Sequence, residues 1–214
     1  MPLFKTISVL GGKIAVWQIS ESFAGLASFF APEELNNAEI QKYSFEKRKI
    51  EWLASRLLIR ELVGEDYRIS YLETGKPELL HANFRHISIT HSSEFVAVFV
   101  HQTYATGIDI ESVDRDFRRV ERRYLSDEEL LQIGDSQPLR CLYWCAKETI
   151  FKLVLDDGIE FRSQIRIEPF DYLNEKSFTA RYISGDKETT YRLFFEFFAG
   201  QMLVWATDAN QLKN

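Results

Sequence analysis

Apolar and polar positions at the start of the chain follow strand patterning. "ISVLGGKIAVWQI" sets two β-rich runs on either side of Gly11 and Gly12, which predicts a hairpin. "APEELNNAEIQKY" then carries Pro32 after a small residue, followed by acidic residues, and predicts a helical segment. A longer helix is expected from about Glu46 to Val63, with Ile50, Leu53, Ala54 and Leu57 on one face. Arg48, Trp52 and Arg56 fall on another face at spacings of four. After Gly64 the period returns to strands: "YRISYLE", a turn at "TGKPEL", two apolar runs around Ser92 and Ser93 that read as a hairpin, and a further strand in "TYATGIDIES". The charged stretch "VDRDFRRVERRYLSDEELLQIGD" precedes a strongly helical segment from about Leu139 to Leu155. The chain closes in strand patterning with a hairpin about Gly200.

Both halves therefore run through helix, strand and a closing hairpin, which suggests duplication of a unit of roughly 100 residues. The expected fold is α+β (α/β two-layer), with two similar subdomains at residues 1–104 and 105–214 and a site in the cleft between them. Of the 214 residues, 45% are hydrophobic and 14% aromatic, enough for a substantial core and far from the composition of a disordered chain. A net charge of -6 and a pI near 5.4 argue against nucleic-acid binding, which needs a broad basic surface. No apolar run approaches the roughly 20 residues that cross a bilayer, so no membrane partner is expected. "MPLFKTISVLGGK" lacks the features of a signal peptide, and a cytoplasmic protein is expected. Cys141 and Cys145, four apart in a helical segment, read as buried thiols rather than a disulfide or zinc pair.

"GIDIE", Gly107 to Glu111, carries the first candidate chemistry. In a strand Asp109 and Glu111 share one face while Ile108 and Ile110 take the other. Two adjacent, partly buried carboxylates resist ionisation unless a cation sits between them. From these five residues alone, an ordinary polar strand end remains an alternative. In "CLYWCAKETIFKLVL", Leu142, Ala146, Ile150 and Leu153 form the apolar face, while Trp144, Glu148 and Lys152 make a second stripe. Glu148 and Lys152 could be a surface ion pair. If their stripe faces Asp109 and Glu111 instead, three carboxylates and an ammonium meet in one cleft, a hard-oxygen set suited to Mg²⁺. "TGKP" places Lys76 on a turn, and "THSS" places His91 between hydroxyls at a strand end.

The ordered set "GKP", "ISITHS", "GIDIE" and "WCAKETIFK" resembles the 4'-phosphopantetheinyl transferases, specifically the larger, monomeric surfactin-synthetase-activating type. The motifs cover about Lys42 to Lys152, and G-[IV]-D-[IV]-E followed by W-x-x-K-E-x-x-x-K are the specific ones. The resemblance implies two subdomains in pseudo-twofold arrangement. It also implies an enzyme that uses Mg²⁺ to move the phosphopantetheine arm of coenzyme A onto a serine of an apo acyl or peptidyl carrier protein, releasing adenosine 3',5'-bisphosphate. On that basis Asp109, Glu111 and Glu148 are expected to hold the metal, with Glu148 as base and Lys152 at the leaving phosphate. Lys76 and His91, with Ser92, Arg48 and Arg56, are expected on the coenzyme A side. Where the family often has Asn-x-Ser-His-Ser, this chain has Ser88, Ile89, Thr90, His91, Ser92.

Carrier proteins of this kind are typically acidic, so a chain of net charge -6 needs a local positive surface to meet one. At helical spacing Arg115, Arg118, Arg119 and Arg122 would cluster on one side, either as that docking surface or as a solvated, salt-bridged helix. Two other functions stay open: a non-catalytic relative that binds coenzyme A or a carrier protein, and another Mg²⁺-dependent enzyme acting on a phosphorylated metabolite.

Overall fold

The computed structural model describes residues 3–154 and 158–212, among which three sheets and eight helices form a mixed α+β fold. The first hairpin is β1 (Leu3–Val9) and β2 (Gly12–Gln18), turning at Gly11. Three short helices follow, α1 (Phe23–Ala27), α2 (Pro32–Leu35) and α3 (Ala38–Gln41), and then α4 (Glu46–Val63). The single segment predicted around Pro32 is thus two one-turn helices. Asn37 separates them, because its side chain accepts from Glu39 N at 2.8 Å and caps a new start. The strands β3 (Arg68–Tyr71) and β4 (Pro77–Leu80) pair as a small hairpin, and β5 (His86–His91) and β6 (Phe95–His101) form the larger one about Ser92 and Ser93.

The later elements are β7 (Thr106–Ser112), α5 (Glu121–Tyr124), α6 (Asp127–Ile133), α7 (Gln137–Val154), α8 (Phe161–Gln164), β8 (Ile165–Ile167), β9 (Ser177–Ser184), β10 (Lys187–Phe198), β11 (Gln201–Thr207) and β12 (Gln211–Leu212). The α7 helix starts two residues before the predicted Leu139, and Leu155, the predicted end, lies outside the described residues. None of the described helices is long and apolar enough to cross a membrane.

A four-stranded antiparallel sheet runs β1-β2-β6-β5, and a larger antiparallel sheet runs β7-β11-β10-β9-β8 with β12 beside β10. One face of the first sheet packs Ala15, Trp17, Val96 and Val98 against Leu53, Ala54 and Leu58 of α4. Its other face sets Ile14, Val16, Phe95, Ala97 and Phe99 against Ile108, Ile110 and Leu203 of the second sheet. The far side of that sheet is covered by Leu142, Ala146 and Ile150 of α7. The layers therefore follow the order α4, sheet, sheet, α7. These eight fully buried side chains between the sheets contribute on the order of 10 kcal/mol of gross hydrophobic stabilisation.

The arginine-rich stretch is not the helix its spacing predicts, and the expected one-sided cluster does not form. Only Glu121–Tyr124 is helical. Upstream, side chains compete for the backbone: Ser112 Oγ accepts from Asp114 N, and Asp116 Oδ1 from Arg118 N at 3.2 Å. Gln137 at the start of α7 donates to the carbonyls of Val113 and Arg115 and fixes the irregular path.

Candidate active site

The site begins with a close approach. A Cβ at Gly107 would sit 2.1 Å from the Thr149 carbonyl oxygen, so only glycine lets β7 lie this near α7. Thr149 Oγ1 donates to Val204 O at 3.1 Å and ties the same turn of helix to the neighbouring strand. Glu148, the residue before Thr149, and Lys152, one turn on, are brought over the polar face of β7. Lys152 Nζ donates to Asp109 Oδ1 at 2.7 Å and to Ile108 O at 3.0 Å, so it pairs across to the strand rather than along its own helix.

Asp109 is 6% exposed. Its Oδ1 also accepts from Thr90 Oγ1 at 2.9 Å, and Thr90 Oγ1 in turn accepts from Ile110 N, which pins the edge of β5 to β7. Asp109 Oδ2 is buried with no hydrogen-bond partner. Glu111 pairs with Arg115. Burial first, and then the charge of Asp109, pushes both Glu111 and Glu148 up to about 7. Arg115 and Lys152 pull in the other direction, without cancelling it.

Both acids hold protons in the folded chain that the unfolded chain releases above its ordinary carboxylate range. Their contribution to stability is full below about pH 4.5 and is lost as pH rises through about 7. Urea unfolding of the ligand-free protein between about pH 5 and pH 8 is expected to show this fall, and Glu148→Gln is expected to flatten it. Identical slopes for the two proteins would contradict the site electrostatics.

Among the described residues, no three carboxylate, imidazole or thiol side chains converge as a finished metal-ligand set. The reason is visible in the pairings: Asp109 is turned to Lys152 and Glu111 to Arg115. The donor chemistry nevertheless suits a hard divalent cation. Three carboxylates face two fixed cations, and one buried carboxylate oxygen has nothing to bind.

A groove leads away from this cluster. A cavity of about 190 Å³ is bounded by Lys76, Pro77, Ser88, Ile89, Phe151 and Lys152. It adjoins, through Gly75, Pro77 and Ile89, a second of about 300 Å³ bounded by Tyr43, Arg48, Arg56, Tyr71 and His91. A third, of about 270 Å³, continues past Arg48, His91 and Ser92 to Glu111. Every predicted phosphate-side residue therefore lines one of three neighbouring cavities that share walls, though in differing states. Burial lowers the Lys76 ammonium from its usual range. Arg48 Nη1 lies 2.6 Å from His91 Nε2, so that nitrogen accepts and the ring is neutral, in keeping with a pKa pushed down by burial. Arg48 also donates to the buried Glu51 at 2.9 Å. Arg56 is buried, with its guanidinium 4.4 Å above the Trp52 ring and bonded to Tyr71 Oη at 2.8 Å. Ser92 Oγ is engaged by Phe95 N in closing the β5–β6 hairpin.

The arginines expected to form a docking surface are dispersed. Arg118 pairs with Asp135 and Arg119 with Asp116, and Arg122 lies on α5. Arg115 belongs to the carboxylate cluster, lying against the rings of Phe117 and Trp144. That is the use of Trp144 in the helical stripe.

Lys147, inside the W-x-x-K-E motif, is fully buried. Its Nζ donates to Glu129 Oε2 at 2.7 Å and to the carbonyls of Tyr124, Phe161 and Ile165, which locks α5, α6, α8 and β8 onto α7. Burial draws this ammonium down to about 8 while Glu129 holds it up, so it is charged at neutral pH. Glu129 also accepts from Ser126 N and Ile167 N. Lys147→Met is expected to cost about 3–5 kcal/mol in denaturant unfolding, because it strands a buried carboxylate. Adding Glu129→Gln should recover part of the loss, and additive losses would contradict the pairing.

Thr90, Glu51 and Lys147 are thus structural partners of the site that sequence reasoning assigned no role. A lysine between Tyr143 and Ile150 on a helical face is the one signal that could have been read for the last of them. In comparisons with known proteins, no curated protein matches the chain. Residues 105–199 match the family model of the 4'-phosphopantetheinyl transferase superfamily.

Proposed function

Since the chain carries a 4'-phosphopantetheinyl transferase superfamily domain at residues 105–199, we propose that it moves the phosphopantetheine arm of coenzyme A onto a serine of an apo acyl or peptidyl carrier protein, with adenosine 3',5'-bisphosphate as the other product. The observation that carries this reading is the meeting of Asp109, Glu148 and Lys152, with Lys152 Nζ 2.7 Å from Asp109 Oδ1 and Asp109 Oδ2 buried without a partner. We further propose that residues 1–104 and 105–214 act as two similar subdomains within one monomer working in the cytoplasm, with the groove across their seam as the coenzyme A site.

Asp109, Glu111 and Glu148 would hold Mg²⁺, which when bound offsets the charge of the pyrophosphate and favours its cleavage. Glu148 is suited to take the serine proton, since a base with a pKa near the working pH combines correct ionisation with driving force. The proton leaves the serine as its oxygen bonds to phosphorus and the bond to the departing phosphate breaks. Lys152 has three N–H donors and spends two on Asp109 and Ile108, so a third can stabilise the leaving phosphate. Arg48 is the exposed cation for the coenzyme A phosphates, with Lys76 beside it in the groove. His91 can join as a donor once its Nε2 is released from Arg48. Arg56, stacked and buried, shapes the wall, and Ser92 holds the hairpin that presents His91.

The test is incubation with coenzyme A, Mg²⁺ and apo carrier proteins, following release of adenosine 3',5'-bisphosphate. Release that requires both carrier and cation supports the transfer. Binding of coenzyme A with no release across several carriers would favour a non-catalytic relative.

A further inference from the structure

We propose that Arg115 is a resident counter-cation of the carboxylate cluster, holding at Glu111 the position that a divalent cation must take, so that displacement of this guanidinium sets the cation affinity. The inference rests on the reading above, that the cluster binds such a cation.

Arg115 is built into its place. Its Cζ lies 5.0 Å from the Phe117 ring centre and 5.1 Å from that of Trp144, one ring from its own turn and one from α7. Its backbone is fixed at both ends of the peptide: the N–H donates to Ser112 O, and the carbonyl accepts from Gln137. Trp144 is itself held by Tyr124 edge-on at 5.1 Å and by Phe117 and Phe161. A guanidinium on two aromatic faces is directed at Glu111 rather than left to search for it.

Arg118 and Arg119 pair with Asp135 and Asp116, away from the cluster. The nearest charges acting on Glu111 are Arg115 and Lys152 against Asp109 and Glu148, while Lys47, Arg48, Glu51 and His91 face it across the adjoining cavity, Arg48 being held by Glu51 and His91. Lys152 is committed to Asp109 Oδ1 and Ile108 O. An incoming cation finds Asp109 Oδ2 free, but it gains the oxygen of Glu111 only as Arg115 lets go. Two cations compete for one carboxylate, and the resident one lowers the apparent affinity of the other.

The test is calorimetric titration of Mg²⁺, repeated with Mn²⁺ by electron paramagnetic resonance, into the full chain without coenzyme A at about pH 8.5, where both raised acids are ionised. Arg115→Met keeps the stem on the aromatic faces and removes the charge. It is expected to tighten cation binding about fivefold, the order of an ion pair with one well-exposed member. Arg115→Lys should fall between the two, and Asp109→Asn should bind weakly whether or not Arg115 is replaced. Circular dichroism and thermal unfolding check that each variant folds. Unchanged or weaker binding in folded Arg115→Met, or no cation binding by a wild-type protein that still transfers, overturns the role of Arg115 alone. A wild-type protein that binds no divalent cation and transfers nothing overturns the transferase reading and this inference together.

Discussion

Replacing Gly107 with alanine is expected to abolish activity and to lower the stability of the folded chain by about 3 kcal/mol or more, the upper range for overpacking a filled core. The added carbon would fall 2.1 Å from the carbonyl oxygen and 3.1 Å from the carbonyl carbon of Thr149, both backbone atoms, and 3.3 Å from Leu153 Cβ. No side chain can swing aside to relieve that contact. The strand and the helix must separate, and the separation falls between Asp109 on β7 and Glu148 and Lys152 on α7. Cooperative unfolding followed in urea, together with the transfer assay, would check it. A fully active and equally stable alanine variant would mean that β7 and α7 do not approach as described.

Glu148→Gln is expected to show the opposite combination. Glutamine keeps the volume and removes both the negative charge and the base, so transfer should fall by about 10²–10⁴-fold. Above pH 7 the wild-type protein carries an ionised, half-buried Glu148 beside Asp109 and Glu111, whose charges oppose one another. The variant should therefore be as stable as wild type or more so at about pH 8. Loss of activity at undiminished stability separates a chemical role from a structural one. Near-normal transfer by a folded Glu148→Gln protein would remove Glu148 from the proposed chemistry.

Much of this arrangement can be read from local sequence, and the reasons differ by element. The hairpins about Gly11 and Gly200 are legible because glycine adopts positive φ at both turns and β-rich runs flank them. The α4 helix is legible from its apolar period, and the polar face of β7 from strict alternation. The irregular path from Val113 to Val120 is not, since Ser112 and Asp116 compete for the backbone through side-chain bonds that periodicity does not register. The burial of Lys147 depends on Glu129, 18 residues away on another helix, and the placement of Arg115 on Trp144 depends on tertiary packing. Arg56 shows the same limit: its helical spacing is that of a solvated stripe, whereas Trp52 and Tyr71 enclose it. The spacing of the site residues was visible, but the partners that hold their charges became visible only in the fold.

The most direct measurement is the intact mass of a purified apo carrier protein after incubation with the wild-type chain, coenzyme A and Mg²⁺, beside a sample in which a chelator has removed the cation. The expected result is a gain of one phosphopantetheine arm on the carrier serine, absent with the chelator. An unchanged mass across acyl and peptidyl carriers, under conditions where a known transferase modifies each of them, would contradict the proposed function.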